Sequence, residues 1–359
     1  MVPVHVAVIG VGAFGRNHVR VYRELQEARP GLVQLVAIVE PHQATREAAA
    51  AQLGLPSFAT VEELIASPYA PDAASVCVPT IHHAAVAEKL LLAGIDVLIE
   101  KPFAASLAEA DRVLELANRT HRILQIGHLE RFNPAVTATM LQLNRPMFFE
   151  SHRLSIFTPR SLDVDVVLDL MIHDLDVVLA MTRSPVREVR AVGLPILSRK
   201  VDIANVRIEL ESGCVANFTA SRVSTEQVRK LRLFQPRQYI SLDFAKQEVL
   251  SIDVDPASAS KAAALGPMLV EDVAAKPSTW SGIRRNAVET LAHPSAGLSL
   301  EKYNLVKAEP LRLELEDFLN SVRERTPPRV TGEAGLSALA LALEINQQIV
   351  SHARRAGLA

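Results

Sequence analysis

Lys101 stands at the end of an apolar run, Ile95 to Ile99, between Glu100 and Pro102. A flexible ammonium there can hydrogen-bond a hydroxyl or a ribose and stabilise negative charge developing on oxygen. Asp169 and His173 lie four residues apart, with Asp176 three further on, inside the segment Val166 to Met181. Leu168, Met171, Ile172, Leu175 and Leu179 give that segment an apolar helical stripe, and the two acids and the histidine share a face. Asp169 is placed to hold one ring nitrogen of His173 and leave the other for a proton transfer. An imidazole suits that work because its ordinary pKa of about 6.5 lies near working pH. Taken alone, the same residues also fit a surface lysine and a core histidine satisfied by a neighbouring acid.

A second group of residues bears on that choice. The apolar run Val4 to Ile9 ends in Gly10-Val-Gly-Ala-Phe-Gly15, a G-x-G-x-x-G with Ala13 and Phe14 inside it, after which Val19, Tyr22 and Leu25 recur at helix spacing. Gly10 permits a tight turn, Gly12 lets a pyrophosphate approach the backbone, and Gly15 lets the helix pack close on the strand. The free N–H groups of the first helical turn then face an anion. The next apolar run, Leu32 to Val39, ends at Glu40, which is 25 residues past Gly15. A carboxylate at a strand end can accept from both ribose hydroxyls and repels a 2′-phosphate, which favours NAD. A hydroxyl-oxidising site built on a dinucleotide needs a base, and His173 supplies one.

Arginines flank the histidine segment. Glu130-Arg131-Phe132-Asn133-Pro134 precedes it, and so do Arg153 and Arg160. Glu130, Arg131, Arg153 and Arg160 are therefore candidates for the substrate site, the arginines gripping a carboxylate or phosphate in bidentate fashion; the competing reading is surface charge.

The elements that would position these groups can be read in order. Thr45 to Gln52 reads as a helix stopped by Gly54 and Pro56, Thr60 to Glu63 as a capping box, and Ala73 to Val78 as a strand closed by Pro79-Thr80. A helix over His82 to Ala93, a strand over Ile95 to Ile99, a second capping box at Ser106 to Glu109 and a strand over Ile123 to Ile126 follow. Strands alternating with helices of this length make a parallel, doubly covered α/β sheet, a Rossmann domain over 1–127. Ligands gather beyond the C-terminal strand ends of such sheets. Gly10 to Gly15, Glu40, Pro79 to His83, Glu100-Lys101 and His128 should therefore meet on one rim as the cofactor site. From 128 to 359 the pattern changes. Phe148 to Leu154, Val189 to Ile196, Asn205 to Leu210, Cys214 to Ala220, Lys230 to Phe234 and Gln238 to Phe244 read as strands of a mainly antiparallel, open-faced sheet in an α+β domain. Residues 253 to 300 show no clean period, and helices over Leu311 to Arg323 and Gly335 to Arg354 close the chain.

Composition narrows the class. With 359 residues, 49% of them apolar, two domains with sizeable cores are expected. A net charge of −2 without a basic block gives no reason to expect nucleic acid or an anionic membrane as partner. No apolar run approaches the ~20 residues of a membrane span. Cys77 and Cys214 are the only cysteines, which suits a reducing cytoplasm, and no Cys/His group has zinc-ligand spacing, so no metal is expected.

The motifs together resemble a known family. Gly10 to Gly15, Val78-Pro79-Thr80 with His83, Glu100-Lys101-Pro102, Gly127-His128 with Arg131-Phe132-Asn133-Pro134, and Asp169-Leu-Met-Ile-His173 occur in the order found in Gfo/Idh/MocA oxidoreductases. The resemblance spans nearly the whole chain. It implies a Rossmann domain followed by an open-faced sheet, a nicotinamide cofactor, sugar-like substrates and a homodimer or homotetramer. It makes Lys101 the catalytic lysine, with Asp169 and His173 on the catalytic helix. The stretches Gly127 to Pro134 and Asp169 to Asp174 are most similar to members that oxidise UDP-N-acetylglucosamine to its 3-keto form in lipid A biosynthesis, ahead of a PLP aminotransferase. Glu40 departs from the Asp many members carry there. A free cyclitol or aldose such as myo-inositol is the alternative substrate, and an NAD-binding sensor without catalysis the alternative of another kind.

Overall fold

The computed structural model describes residues 2–157, 164–254 and 298–357. Arg160 and 255–297 of the aperiodic stretch lie outside the described residues.

The first sheet is built from β1 (Val4–Ile9), β2 (Val33–Val39), β3 (Ser57–Phe58), β4 (Ala73–Val76), β5 (Asp96–Glu100) and β6 (Leu124–Gly127). All pairings are parallel, in the order β3-β2-β1-β4-β5-β6. The order reverses at β1, so a crevice opens there beyond the strand ends. Helices α1 (Ala13–Ala28), α2 (Gln43–Leu53), α3 (Val61–Ile65), α4 (His83–Leu92) and α5 (Leu107–Thr120) connect the strands. Both expected capping boxes form: Thr60 accepts from the Glu63 N–H at 3.2 Å and Ser106 from the Glu109 N–H at 3.3 Å.

Beyond α6 (Pro134–Met140) lies the second sheet. Its strands are β7 (Phe148–Leu154), β8 (Val186–Leu194), β9 (Ile203–Leu210), β10 (Val215–Ser221), β11 (Val228–Gln235), β12 (Gln238–Asp243), β13 (Glu248–Val254) and β14 (Leu298–Tyr303). The order is β14-β13-β12-β11-β7-β10-β9-β8, antiparallel except for β7 against β10. Helix α7 (Ile172–Thr182), entered through a π turn over Val167–Met171, covers one face. The six strands expected from the sequence are present, some ends lying one to three residues further out and others, such as those of β8 and β12, one or two residues short. The last two strands at one end of the sheet, β13 and β14, are additions: in β13, Val249 and Leu250 are consecutive apolar residues that break the alternation a strand normally announces.

Two closing helices, α8 (Pro310–Glu324) and α9 (Gly332–Arg355), tie the halves together. Leu315, Phe318, Leu319 and Val322 of α8 join the core that contains Val6, Val8, Tyr22 and Leu25. The first sheet is thus covered partly by chain from the far end. On α9, Gly335 packs so closely on β6 that a Cβ would come within 2.4 Å of Ile126, while Ala338, Ala342 and Ile345 join the core of the second sheet. Glu314 of α8 is fully buried and neither carboxylate oxygen has a partner. Burial drives its carboxyl well above 4.5, helped by the nearby charge of Glu100, so this buried acid is held neutral.

Candidate active site

The glycine turn has the geometry its sequence asks for. Gly10 has φ +89° and a Cβ there would lie 2.9 Å from the Cys77 carbonyl oxygen. A Cβ on Gly15 would lie 1.8 Å from the Gly10 carbonyl oxygen, so only glycine lets α1 start this close to β1. Gly12 differs: a Cβ there would meet nothing within 4 Å. That open space lies against the first turn of α1, where no side chain caps the helix. The cradle has room for a pyrophosphate on free backbone N–H groups. The Glu40 carboxylate reaches the same turn, accepting from the N–H of Val11 at 3.2 Å and of His42 at 3.1 Å. These two bonds hold it past the end of β2, where a ribose would sit.

A cavity of about 140 Å³ continues from the cradle, lined by Phe14, Pro79, Thr80, His83, Glu100, Lys101, Leu168 and Asp169 among others. The rim residues expected to meet a cofactor are therefore largely together. Phe14 is 51% exposed, an apolar ring left uncovered at the mouth. His83 and Glu100 line this space but their polar atoms are otherwise engaged. His83 lies between two carbonyls, Nδ1 2.9 Å from that of Pro102 and Nε2 2.9 Å from that of Val78, and in its neutral form donates to one of them. Burial lowers its pKa in spite of these acceptors. Glu100 accepts from His18 of α1 at 2.8 Å and from the Lys101 N–H at 3.2 Å. Burial works against its charge, but the His18 bond and the positive charges around it bring its pKa below 4.5.

Lys101 crosses from the first sheet to the helix of the second. Its Nζ donates to the Asp169 carbonyl oxygen at 2.7 Å and lies 3.4 Å from Asp169 Oδ1. Asp169 sits in the π turn, whose widened hydrogen-bond ring offers a backbone carbonyl outside the regular ladder. The expectation that Asp169 orients His173 is corrected: no hydrogen bond joins them, and the carboxylate goes to the ammonium. A cation is the stronger partner for a carboxylate than a neutral imidazole. His173 Nδ1 is buried without a partner. Burial first, then the charges of Lys101 and Arg153, hold its pKa well below 6.5, so the ring is neutral at pH 7.

His128 stacks edge-to-face on His173, with ring centroids 6.4 Å apart. It is 1% exposed and neither ring nitrogen has a partner; it follows directly on Gly127, which pairs with Glu100 at the strand ends, so it backs the rim from within the interior. Glu130, Arg131 and Arg153, the candidates for the substrate site, are engaged with one another and with acids of α7. Arg153 is buried; its guanidinium bonds both Asp174 oxygens and, at 3.1 Å, Glu130. Glu130 also accepts from Asn133 at 3.0 Å. Arg131 faces Asp176 at 3.3 Å and the Arg329 carbonyl at 3.4 Å. Each of these cations found a buried carboxylate, because a buried charge without one is costly. Arg229 of β11 is a further charge on this face, in phase with the buried Leu231 and Leu233.

Comparison with known proteins agrees with this arrangement. A model of the oxidoreductase family with an NAD-binding Rossmann fold, Gfo/Idh/MocA, matches residues 4–128, and that of the Gfo/Idh/MocA C-terminal domain matches 135–237. The UDP-N-acetylglucosamine 3-dehydrogenase of Acidithiobacillus ferrooxidans is 34% identical over 99% of this chain and 100% of its own length. The chain belongs to the Gfo/Idh/MocA oxidoreductase family. A solved structure of the Acidithiobacillus enzyme aligns with a TM-score of 0.80 at 33% identity, covering 97% of this chain and 98% of that one. The NAD(+)-dependent scyllo-inositol 2-dehydrogenase of Bacillus subtilis is 25% identical over 62% of this chain and 68% of its own. This family member is accordingly an oxidoreductase of the sugar-dehydrogenase type, with NAD as its cofactor.

Proposed function

We propose that the protein oxidises a secondary hydroxyl of a nucleotide sugar, UDP-N-acetylglucosamine at C3, with a preference for NAD over NADP. The observation that carries this reading is the Lys101 ammonium, fixed by Asp169 next to a neutral His173, beside a cradle shaped for a dinucleotide. NAD, when bound, supplies the hydride acceptor. His173 accepts the hydroxyl proton. Lys101 hydrogen-bonds the same oxygen and stabilises the charge that grows on it. Asp169 acts through Lys101, pointing the ammonium. Glu40 accepts from the ribose and disfavours a 2′-phosphate. The choice of sugar follows the 34% identity to the Acidithiobacillus enzyme along the full chain. With that substrate the place of action is the cytoplasm, the pathway that of lipid A, and the 3-keto product the substrate of a PLP aminotransferase; a homodimer or homotetramer is the expected assembly.

The test is absorbance at 340 nm with NAD and a panel of UDP-sugars and free sugars. Reduction of NAD with UDP-N-acetylglucosamine is expected. Reduction with myo-inositol or an aldose only would move the substrate, and no reduction with any sugar, alongside tight NAD binding, would leave a sensor.

A further inference from the structure

The inner face of β11 carries a cation whose role no contact among the described residues explains. Strand alternation puts Arg229 in phase with Leu231 and Leu233, both fully buried, so its side chain leaves the sheet on the face covered by α7. It lies directly opposite Arg153 in the antiparallel register with β7. The other arginines around it have found carboxylates: Arg153 has Asp174 and Glu130, Arg131 has Asp176, and Arg232 on the outer face has Glu150. The Arg229 guanidinium has no hydrogen bond or ion pair with any described residue, although the residue is only partly exposed. Glu130 and Asp174 are near enough to be felt but are already taken by Arg153.

Burial, and then the charge of Arg153, lowers the Arg229 pKa, which marks a cation short of its counter-charge. A guanidinium remains charged even so. Its charge also bears on the His173 ring, and its neighbour across the ladder, Arg153, bonds Asp174, the residue after His173.

We propose that Arg229 receives the diphosphate of the nucleotide-sugar substrate and thereby sets the preference for phosphorylated over free sugars. The planar fork of a guanidinium matches two phosphate oxygens, and an anion arriving there supplies the missing counter-charge. The ligand is an acceptor-rich dianion on the substrate side of His173, while the dinucleotide cradle at Gly10 to Gly15 lies on the other sheet. This rests on the nucleotide-sugar reading given above.

The experiment compares parent, Arg229→Gln and Arg229→Lys for NAD affinity, UDP affinity by calorimetry, and steady-state kinetics with UDP-N-acetylglucosamine. In Arg229→Gln the KM for the UDP-sugar and the Kd for UDP should rise about tenfold to a hundredfold, the loss of a charge-assisted contact, with a smaller change in kcat. Arg229→Lys keeps the charge without the fork and should fall between the two. NAD affinity and the melting temperature should hold; a merely structural role would move them while leaving UDP no worse placed than NAD. A parent active on UDP-sugars with an Arg229→Gln variant whose KM and UDP affinity stay within about twofold overturns this inference alone, since it is far below the expected contact loss. A parent that neither binds UDP nor oxidises any UDP-sugar overturns the functional reading, and this inference with it.

Discussion

The two sheets prepare for ligand in opposite ways. At the rim of the first, the groups placed to meet a dinucleotide are backbone N–H groups and an empty place where Gly12 has no Cβ. They are fixed by a few consecutive residues. On the inner face of the second, the groups are side-chain charges from β7, β11, α7 and the turn before α6, and each had several possible partners. The pairing that resulted, Glu130–Arg153–Asp174, is long-range in sequence and buried, and it leaves Arg229 over. A backbone site is specified locally; a charge site is specified by what remains after the buried charges have neutralised each other.

Gly15→Ala should be the most damaging substitution, since a Cβ 1.8 Å from a backbone carbonyl cannot be accommodated by a side-chain shift; soluble yield and melting temperature should collapse. His173→Asn should lower kcat by about 10²–10⁴-fold, the usual worth of a general base, with NAD affinity unchanged. Because the His173 pKa is lowered, the ring stays neutral as pH falls through 6.5, and the acid limb of the parent kcat/KM profile should lie well below that pH. A limb at or above 6.5 would mean the base is another group. On the second sheet, Arg153→Met should cost about 3–5 kcal/mol in chemical denaturation, because it leaves Asp174 and Glu130 buried and unpaired. A small cost there, with loss of UDP binding in its place, would blur the contrast between the sheets. Gly12→Ala is milder and sharper: its Cβ meets no protein atom, so the melting temperature should hold while NAD binding weakens.

The smallest effect is expected at Glu314. Its folded pKa is raised, so between about pH 4.5 and that higher value the folded protein holds a proton that the unfolded chain releases. Stability should therefore decline as pH rises through this window. Glu314→Gln removes the dependence, and its melting temperature should exceed that of the parent at about pH 8 and converge with it towards pH 4.

The sequence made much of this fold legible. The glycine turn, the two capping boxes and the strand–helix alternation before Gly127 are local signals, and the structure follows them. Lys101 was visible for the same reason, as a strand-end residue of a parallel sheet. Asp169 was found but given the wrong partner, since four-residue spacing shows that two groups share a face and not that a third, from another sheet, binds one of them first. Arg153 looked available because a strand read alone does not show the acid that a later helix brings to it. The sequence pattern starts this strand at Lys230, one residue after Arg229, because the polar Arg229 and Lys230 in succession hide the phase that Arg229 shares with Leu231.

The α8 helix has a consequence for how the protein is made. Leu315, Phe318 and Leu319 cover apolar surface around β1 and α1, yet the second sheet is translated between them. At ~5–20 residues per second a nascent nucleotide-binding half waits on the order of ten seconds or more for its last helix. During that wait the apolar flank of the first sheet lies uncovered, and a gene cut after the sixth strand would encode a fragment that never buries it.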